Sequence, residues 1–268
     1  MPTATVDLLV PRRHRAETGP TASYLGAPAD AGHYLGVAVD LRGVTTVLLP
    51  GTGSDDDYVG RAFSGPLHGV GAVVVTPPPQ PHRLIDGYVS ALDEAARSGP
   101  IVVGGVSIGA AVAAAWALAH PGQAVAVLAA LPPWTGDPGS APAALAARHS
   151  ASQLRRDGLQ ATTMQMRASS PLWLADELTR SWRHQWPQLP DAMEAAAAYI
   201  APSRTELQRL TAPLGVAAAV DDPIHPLQVG VDWASAAPRA ALRTVTLDQI
   251  GADAAALGAA CLAALADA

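Results

Sequence analysis

Ser107 lies in a five-residue motif whose setting suits a nucleophile. The G-x-S-x-G pattern at 105–109 follows an apolar run that predicts a buried strand over 101–103 and precedes an Ala-rich helix predicted over 108–119. A sharp strand-to-helix turn exposes its serine, and the flanking glycines let neighbouring backbone pass closely. The backbone N–H of Ile108 would face a developing oxyanion at the helix amino end. The motif therefore predicts acyl transfer through Ser107, with a plain glycine-rich turn as the alternative.

Two further polar loops follow predicted strands. The segment 48–55, LLPGTGSD, ends a strand predicted over 44–49, and the segment 221–226, DDPIHP, ends a strand predicted over 214–220. Together with the serine motif, these loops resemble the α/β-hydrolase family, and the resemblance runs over most of the chain. The family implies a serine nucleophile, an acid and a histidine, in that order along the sequence.

The loop at 48–55 corresponds to the place where the family has its second oxyanion-hole donor. The resemblance assigns that donor to the backbone N–H of Thr52, next to Gly51. A phosphate site at Gly51-Thr52-Gly53 is the rival interpretation. It is disfavoured because no third glycine follows and Asp55–Asp57 would repel a phosphate.

The loop at 221–226 supplies the acid that the resemblance implies. The family has an acid followed four residues later by proline, so Asp222 with Pro226 fits the pattern better than Asp221 does. Capping of the next helix ahead of Pro226 is the alternative role for this aspartate.

The histidine that the family has after its last strand is absent. Gly251-Ala252 occupies the place of the usual Gly-His pair, so Ala252 stands at the position expected for the base, and no histidine follows His225. A serine hydroxyl is a poor nucleophile without an adjacent base. Loss of that base costs on the order of a million-fold in turnover in a comparable hydrolase.

Three explanations for the missing histidine remain open. First, another histidine serves as the base, and His225 is the candidate because it shares the loop of the acid. Asp222 is so near in sequence that we expect it to orient His225 poorly, and a structural role beside Pro226 is the favoured alternative. Second, the protein binds a ligand without turning it over. Third, Ala252 is an unusual or an introduced replacement in an otherwise working framework.

Strands alternating with helices from residue 44 onward predict one α/β domain over 1–268, with a predominantly parallel sheet covered by helices on both faces. Two β-branched stretches near 5–10 and 34–41 predict strands ahead of this alternation. Residues from about 135 to 210 lack a convincing buried strand and predict a helical cap insertion. Within it, Met164, Trp173 and Trp182 would form the wall of an apolar substrate pocket that includes Gly51. Packing within the core of the insertion is the alternative for these three side chains.

Composition excludes several function classes. The chain has 268 residues and a net charge of −6, and all 17 basic residues are arginine, which excludes lysine-dependent phosphate loops and Schiff bases. The acidic balance disfavours nucleic acid, and the single cysteine, Cys261, excludes a disulfide framework or a cysteine zinc site. The uncharged segment 98–136 is divided by glycine and proline into pieces too short to span a membrane. We therefore expect a cytoplasmic serine hydrolase for a small or medium carboxylic ester or thioester, with no cofactor or metal.

Overall fold

A computed structural model describes residues 39–268 of the chain. Six parallel strands form one sheet in the order β2-β1-β3-β4-β5-β6. The strands are β1 (Thr45–Leu49), β2 (Val73–Val75), β3 (Ile101–Val106), β4 (Ala124–Ala130), β5 (Leu214–Ala219) and β6 (Ala240–Val245). The strand predicted near 5–10 and most of that predicted over 34–41 lie outside the described residues, and residues 39–41 are not in a strand.

Helices cover both faces of this sheet, which confirms the predicted α/β class. The helices are α1 (Asp56–Gly69), α2 (Leu84–Ala96), α3 (Ile108–Ala119), α4 (Pro142–Ala168), α5 (Leu172–Gln185), α6 (Leu189–Ala198), α7 (Arg204–Leu207), α8 (Leu227–Ala236), α9 (Leu247–Ala252) and α10 (Ala255–Ala266). One buried cluster joins the sheet to α2, α3 and α8, and a second joins it to α1 and α10. Burial on both faces explains why β3, β4 and β5 are almost continuous apolar runs.

The segment predicted as a helical insertion contains α4 to α7, between β4 and β5. The helix α4 is interrupted at Gly158, whose φ of 77° leaves the right-handed region. A small cluster of buried side chains from α4, α5 and α6 gives the insertion a core of its own. No helix within residues 39–268 is long and apolar enough to cross a membrane.

The end of the sheet differs from the sequence prediction at β6. A strand was expected over 242–247, but β6 ends at Val245 and α9 begins at Leu247. The reason is a reciprocal capping box at Thr246. Its hydroxyl accepts from the backbone N–H of Gln249, and the Gln249 side chain accepts from the Thr246 N–H. This cap starts a helix in the loop where the family has its histidine.

Candidate active site

Ser107 occupies a sharp turn between β3 and α3. Its φ of 53° and ψ of −118° lie outside the regions that a side-chain-bearing residue usually adopts, at a cost of roughly 1–3 kcal/mol. Its backbone N–H donates to the Ala130 carbonyl at 2.9 Å, which ties the turn to β4. The hydroxyl does not cap α3, so it is free to face the loop that follows β5.

β1 passes so close to this turn that both flanking positions of the motif must be glycine. A Cβ on Gly105 or Gly109 would overlap the carbonyl oxygen of Leu49, the last residue of β1. This close approach also brings the next loop against the serine. A Cβ on Gly51 would lie 3.5 Å from the Cβ of Ser107. The motif glycines therefore let the loop of residues 51–55 lie beside the serine turn; it is called the oxyanion loop below, after the role that the sequence predicts for it.

His225 connects Ser107 to Asp222 through both of its ring nitrogens. Its Nε2 is 2.9 Å from the Ser107 Oγ, and its Nδ1 is 2.8 Å from the Asp222 Oδ2. An ionised carboxylate accepts only, so Nδ1 carries the proton and donates to Asp222. Nε2 is then left to accept from the serine hydroxyl. All three groups are largely buried, with 7% of Ser107 and 16% and 8% of the His225 and Asp222 side chains exposed.

A tight turn makes this alignment possible between residues only three apart. The Oδ1 of Asp222 accepts from the backbone N–H groups of Ile224 at 2.7 Å and His225 at 3.2 Å, which leaves Oδ2 for the imidazole. The expectation that Asp222 would orient His225 poorly is therefore wrong, because the turn folds the histidine back over the carboxylate. Burial opposes ionisation of Asp222. The hydrogen bonds from His225 and from the two backbone N–H groups outweigh that penalty and lower the pKa of Asp222.

Two backbone donors lie beside the serine. In the part of the chain that the structure describes, the backbone N–H groups of Thr52 and Ile108 have no hydrogen-bond acceptor. Ile108 is the first residue of α3, where backbone N–H groups have no partner inside the helix and the dipole favours negative charge. Thr52 adjoins Gly51, which packs against the serine turn. The arrangement can therefore offer two N–H groups to an oxygen formed near Ser107.

Ala252 lines a cavity that Ser107 and His225 do not share. It ends α9, and this cavity has a volume of about 410 Å³. Trp173 occupies the same cavity, and a Cβ on Gly251 would overlap its indole ring. Asp221 also has a separate place, since its Oδ1 accepts from the backbone N–H of Leu247 at 2.9 Å.

The structure does not bring the three predicted pocket residues together. Met164 is 61% exposed and lines a cavity of about 820 Å³ between α4 and α5. Trp173 lines the cavity beside Ala252, and Trp182 is buried against Gly53 of the oxyanion loop. The prediction of one shared pocket wall is thus wrong, because helical spacing indicates which residues share a helix face but not what that face contacts.

The contacts between α5 and the oxyanion loop were not predicted from the sequence. Arg180 pairs with Asp55, and Gln185 donates to the Ser54 carbonyl. Asp55 is identifiable from sequence as the amino cap of α1, where it accepts from the Tyr58 N–H at 3.0 Å. No local pattern indicated that it also has a partner 125 residues away.

Solved hydrolases share this fold. A carboxylesterase structure from the thaumarchaeon Nitrososphaera gargenis aligns with a TM-score of 0.62 at 16% identity, covering 79% of this chain and 85% of that one. A hydrolase from Oleispira antarctica gives 0.60 at 14% identity, covering 78% and 88%. The enol-lactonase from Burkholderia xenovorans LB400 gives 0.57 at 18% identity, covering 77% and 84%.

These alignments, with the parallel sheet and its flanking helices, show that the chain has the α/β-hydrolase fold. No protein-family model matches the sequence, and no curated protein matches it either. At identities this low the likeness defines the fold, and a reaction must be argued from the site.

Proposed function

We propose that the protein is a serine hydrolase that cleaves a small or medium carboxylic ester or thioester through an acyl-enzyme on Ser107. The observation that carries the proposal is the continuous hydrogen-bonded relay from Asp222 through His225 to the Ser107 hydroxyl, at 2.8 and 2.9 Å. Nucleophile, base and orienting acid stand in hydrogen-bond reach of one another, which is the geometric signature of this chemistry. The structural neighbours that are named as esterases and a lactonase support hydrolysis in general.

The reaction follows from the positions of the protons. His225 Nε2 removes the hydroxyl proton as the Ser107 Oγ attacks the ester carbonyl. The carbonyl oxygen becomes an oxyanion and accepts from the N–H groups of Thr52 and Ile108. Asp222 stabilises the imidazolium through Nδ1–H. His225 then gives its Nε2 proton to the leaving oxygen, or to sulfur in a thioester, and the acyl group stays on Ser107.

The second half of the reaction uses the same groups in reverse. His225 accepts a proton from water, and the resulting hydroxide equivalent attacks the acyl carbon. The oxyanion forms again at the same two N–H groups and collapses with release of the acid. The proton on His225 returns to the Ser107 oxygen, so the enzyme regenerates without a cofactor.

The arrangement of His225 also bears on the alternative of a binding protein without turnover. That alternative depended on the absence of a base at position 252, but a base within 2.9 Å of the nucleophile removes that ground. The two functions make opposite predictions for the same variants. A binding protein would retain ligand stabilisation in Ser107→Ala and show no turnover in any form.

Labelling and turnover test the proposal together. The unmodified protein should react with a fluorophosphonate probe and hydrolyse short- or medium-chain p-nitrophenyl esters. Ser107→Ala and His225→Gln should lose turnover by about a million-fold, to the background set by the remaining site. His82→Gln is the matched control, because His82 is exposed and lies in a short turn of helix outside the relay. Absence of labelling and turnover in the unmodified protein would contradict the proposal.

A further inference from the structure

Helix α5 of the insertion holds three consecutive residues of the oxyanion loop. Arg180 makes a two-pronged ion pair with Asp55, with Nη1 2.6 Å from Oδ2 and Nη2 3.0 Å from Oδ1. The Asp55 side chain is only 8% exposed, so it is better shielded from water than the carboxylates that pair with Arg155 and Arg167. Arg180 also bonds Glu177 at 2.8 Å and lies 3.2 Å from Asp57. The Asp55 carboxylate also caps α1, and it therefore fixes the end of the loop to two helices at once.

The neighbouring residues of α5 hold the rest of the loop. Gln185 donates through Nε2 to the Ser54 carbonyl at 2.9 Å. Trp182 packs so closely on Gly53 that a Cβ there would lie 2.7 Å from its Nε1. Gly53 also has a φ of 70°, so both its conformation and its contact with Trp182 require glycine.

These contacts reach the proposed oxyanion donor through one short turn. The Ser54 N–H donates to the Gly51 carbonyl at 3.0 Å, which closes the backbone around Thr52. A shift of Ser54 or Asp55 must therefore move the Thr52 N–H relative to Ser107. Oxyanion donors act only when held about 2.7–3.1 Å from the developing charge, and misplacement of a reacting group by about 1 Å can cost roughly 100-fold.

We propose that Arg180 is a positioning residue for catalysis, which acts through Asp55 to keep the oxyanion loop in the geometry that places the Thr52 N–H beside Ser107. The proposal rests on the proposed function. It assigns a catalytic task to the insertion, because docking of α5 completes the oxyanion hole.

Two other roles for Arg180 predict different results. If the ion pair only attaches the insertion to the sheet domain, its loss would change stability and leave catalysis unchanged. That change in stability would be small, because partly exposed ion pairs contribute little. As a substrate ligand, Arg180 would act from the 820 Å³ cavity that it lines with Arg183 and His184, and its loss would raise KM for anionic esters. A positioning role instead lowers kcat and leaves KM nearly unchanged.

The test compares Arg180→Met, Asp55→Asn and the double variant. The asparagine side chain in Asp55→Asn can still cap α1 with its oxygen, so this substitution removes the ion pair while keeping that bond. We expect kcat to fall about 10- to 100-fold in each single variant. The double variant should be no worse than Arg180→Met, because that substitution already removes the pair with Asp55 together with the pairs of Arg180 to Glu177 and Asp57. Affinity for a trifluoromethyl ketone, whose adduct carries an oxyanion, should fall by the same factor. Arg180→Lys should lie between Arg180→Met and the parent, since lysine keeps the charge without the fork.

Arg155→Met is the matched control. Arg155 also bonds two carboxylates of the insertion, Asp191 and Glu194. It forms no hydrogen bond with the described residues of the oxyanion loop. Its loss should leave kcat, KM and analogue affinity unchanged. Lower stability in Arg180→Met with unchanged kcat, or a rise in KM alone, would overturn the positioning role.

Hydrogen exchange separates this inference from the proposed function. The N–H groups of Ser54 and Tyr58 are both bonded within or beside the loop, so the peptide over 50–58 should exchange faster in Arg180→Met than in Arg155→Met. If the unmodified protein neither labels nor turns over esters, the proposed function fails while exchange still reports the hold of Arg180 on the loop. Equal exchange in the two variants would refute that hold.

Discussion

His225 Nδ1 lies 2.8 Å from the carboxylate of Asp222, three residues earlier in the same loop. The acid and base of the proposed mechanism thus come from one turn after β5 instead of from separate loops at the ends of two strands. Asp222 stays aligned on the imidazole despite this proximity, because its other oxygen is held by the backbone N–H groups of Ile224 and His225. A single loop carries two of the three groups of the relay, and Ser107 is the third.

Asp222→Asn should lower kcat about 10⁴-fold while the fold is retained. An asparagine can turn its NH₂ toward Nδ1, and the imidazole then carries its proton on Nε2, where it cannot accept from Ser107. Ester hydrolysis at saturating substrate measures the effect. Asp221→Asn is the control, since Asp221 bonds the Leu247 N–H instead of the imidazole. A loss in Asp221→Asn equal to that in Asp222→Asn would show that the acid has been misassigned.

Ala252→His should not raise turnover or the rate of fluorophosphonate labelling. The Nε2 of His225 already lies within hydrogen-bond distance of the Ser107 hydroxyl. Residue 252 faces a separate cavity that Trp173 also lines. The same substitution in a His225→Gln background is the decisive comparison. Recovery of activity there would mean that residue 252 can reach Ser107, contrary to the present geometry.

The serine turn was predictable because its determinants are local. The apolar run of β3, the glycines at 105 and 109 and the Ala-rich α3 are contiguous, and the structure places Ser107 at the predicted strand-to-helix junction. The parallel sheet followed in the same way from alternating apolar segments. Asp222 could be preferred over Asp221 because a proline follows it at the expected spacing.

The remaining features depend on contacts that spacing does not encode. Sequence separation alone suggested that Asp222 was too close to orient His225, because a turn that reverses direction within three residues leaves no periodic signal. The pair Arg180–Asp55 joins residues 125 positions apart, and its geometry depends on how α5 docks. Trp182 was predicted to line a substrate pocket because it is large and apolar. In the structure it packs against Gly53 of the oxyanion loop, a contact that its own sequence neighbourhood does not indicate.

Low pH should remove the contribution of Asp222 to the free energy of unfolding. Its pKa is lowered in the folded protein, so the contribution is fully present above the unfolded value of about 3.9 and is lost as pH falls toward the folded pKa. The difference in free energy of unfolding between the parent and Asp222→Asn should therefore shrink as pH falls below about 4. Denaturant titrations of both proteins at several pH values measure it. A difference that grows in acid would contradict the lowered pKa.

Gly109→Ala should destabilise the protein by about 1–3 kcal/mol or more, because the new methyl group overlaps the Leu49 carbonyl where β1 crosses the start of α3. It should also abolish turnover, since relief of the overlap moves Ser107 away from the oxyanion loop. Gly60→Ala is the matched control. Gly60 also lies in a helix, α1, where an added Cβ would meet only the Thr76 Oγ1, at an ordinary contact distance of 3.8 Å.

The control substitution should be neutral or stabilise by up to about 1 kcal/mol through helix propensity. Urea unfolding midpoints compare the two variants on one scale, and ester turnover gives the second readout. Equal stability of the two variants would mean that β1 does not press against the serine turn. The two substitutions should change the free energy of unfolding in opposite directions. One glycine lies against a crossing backbone that leaves no room for a Cβ, and the other has room for one.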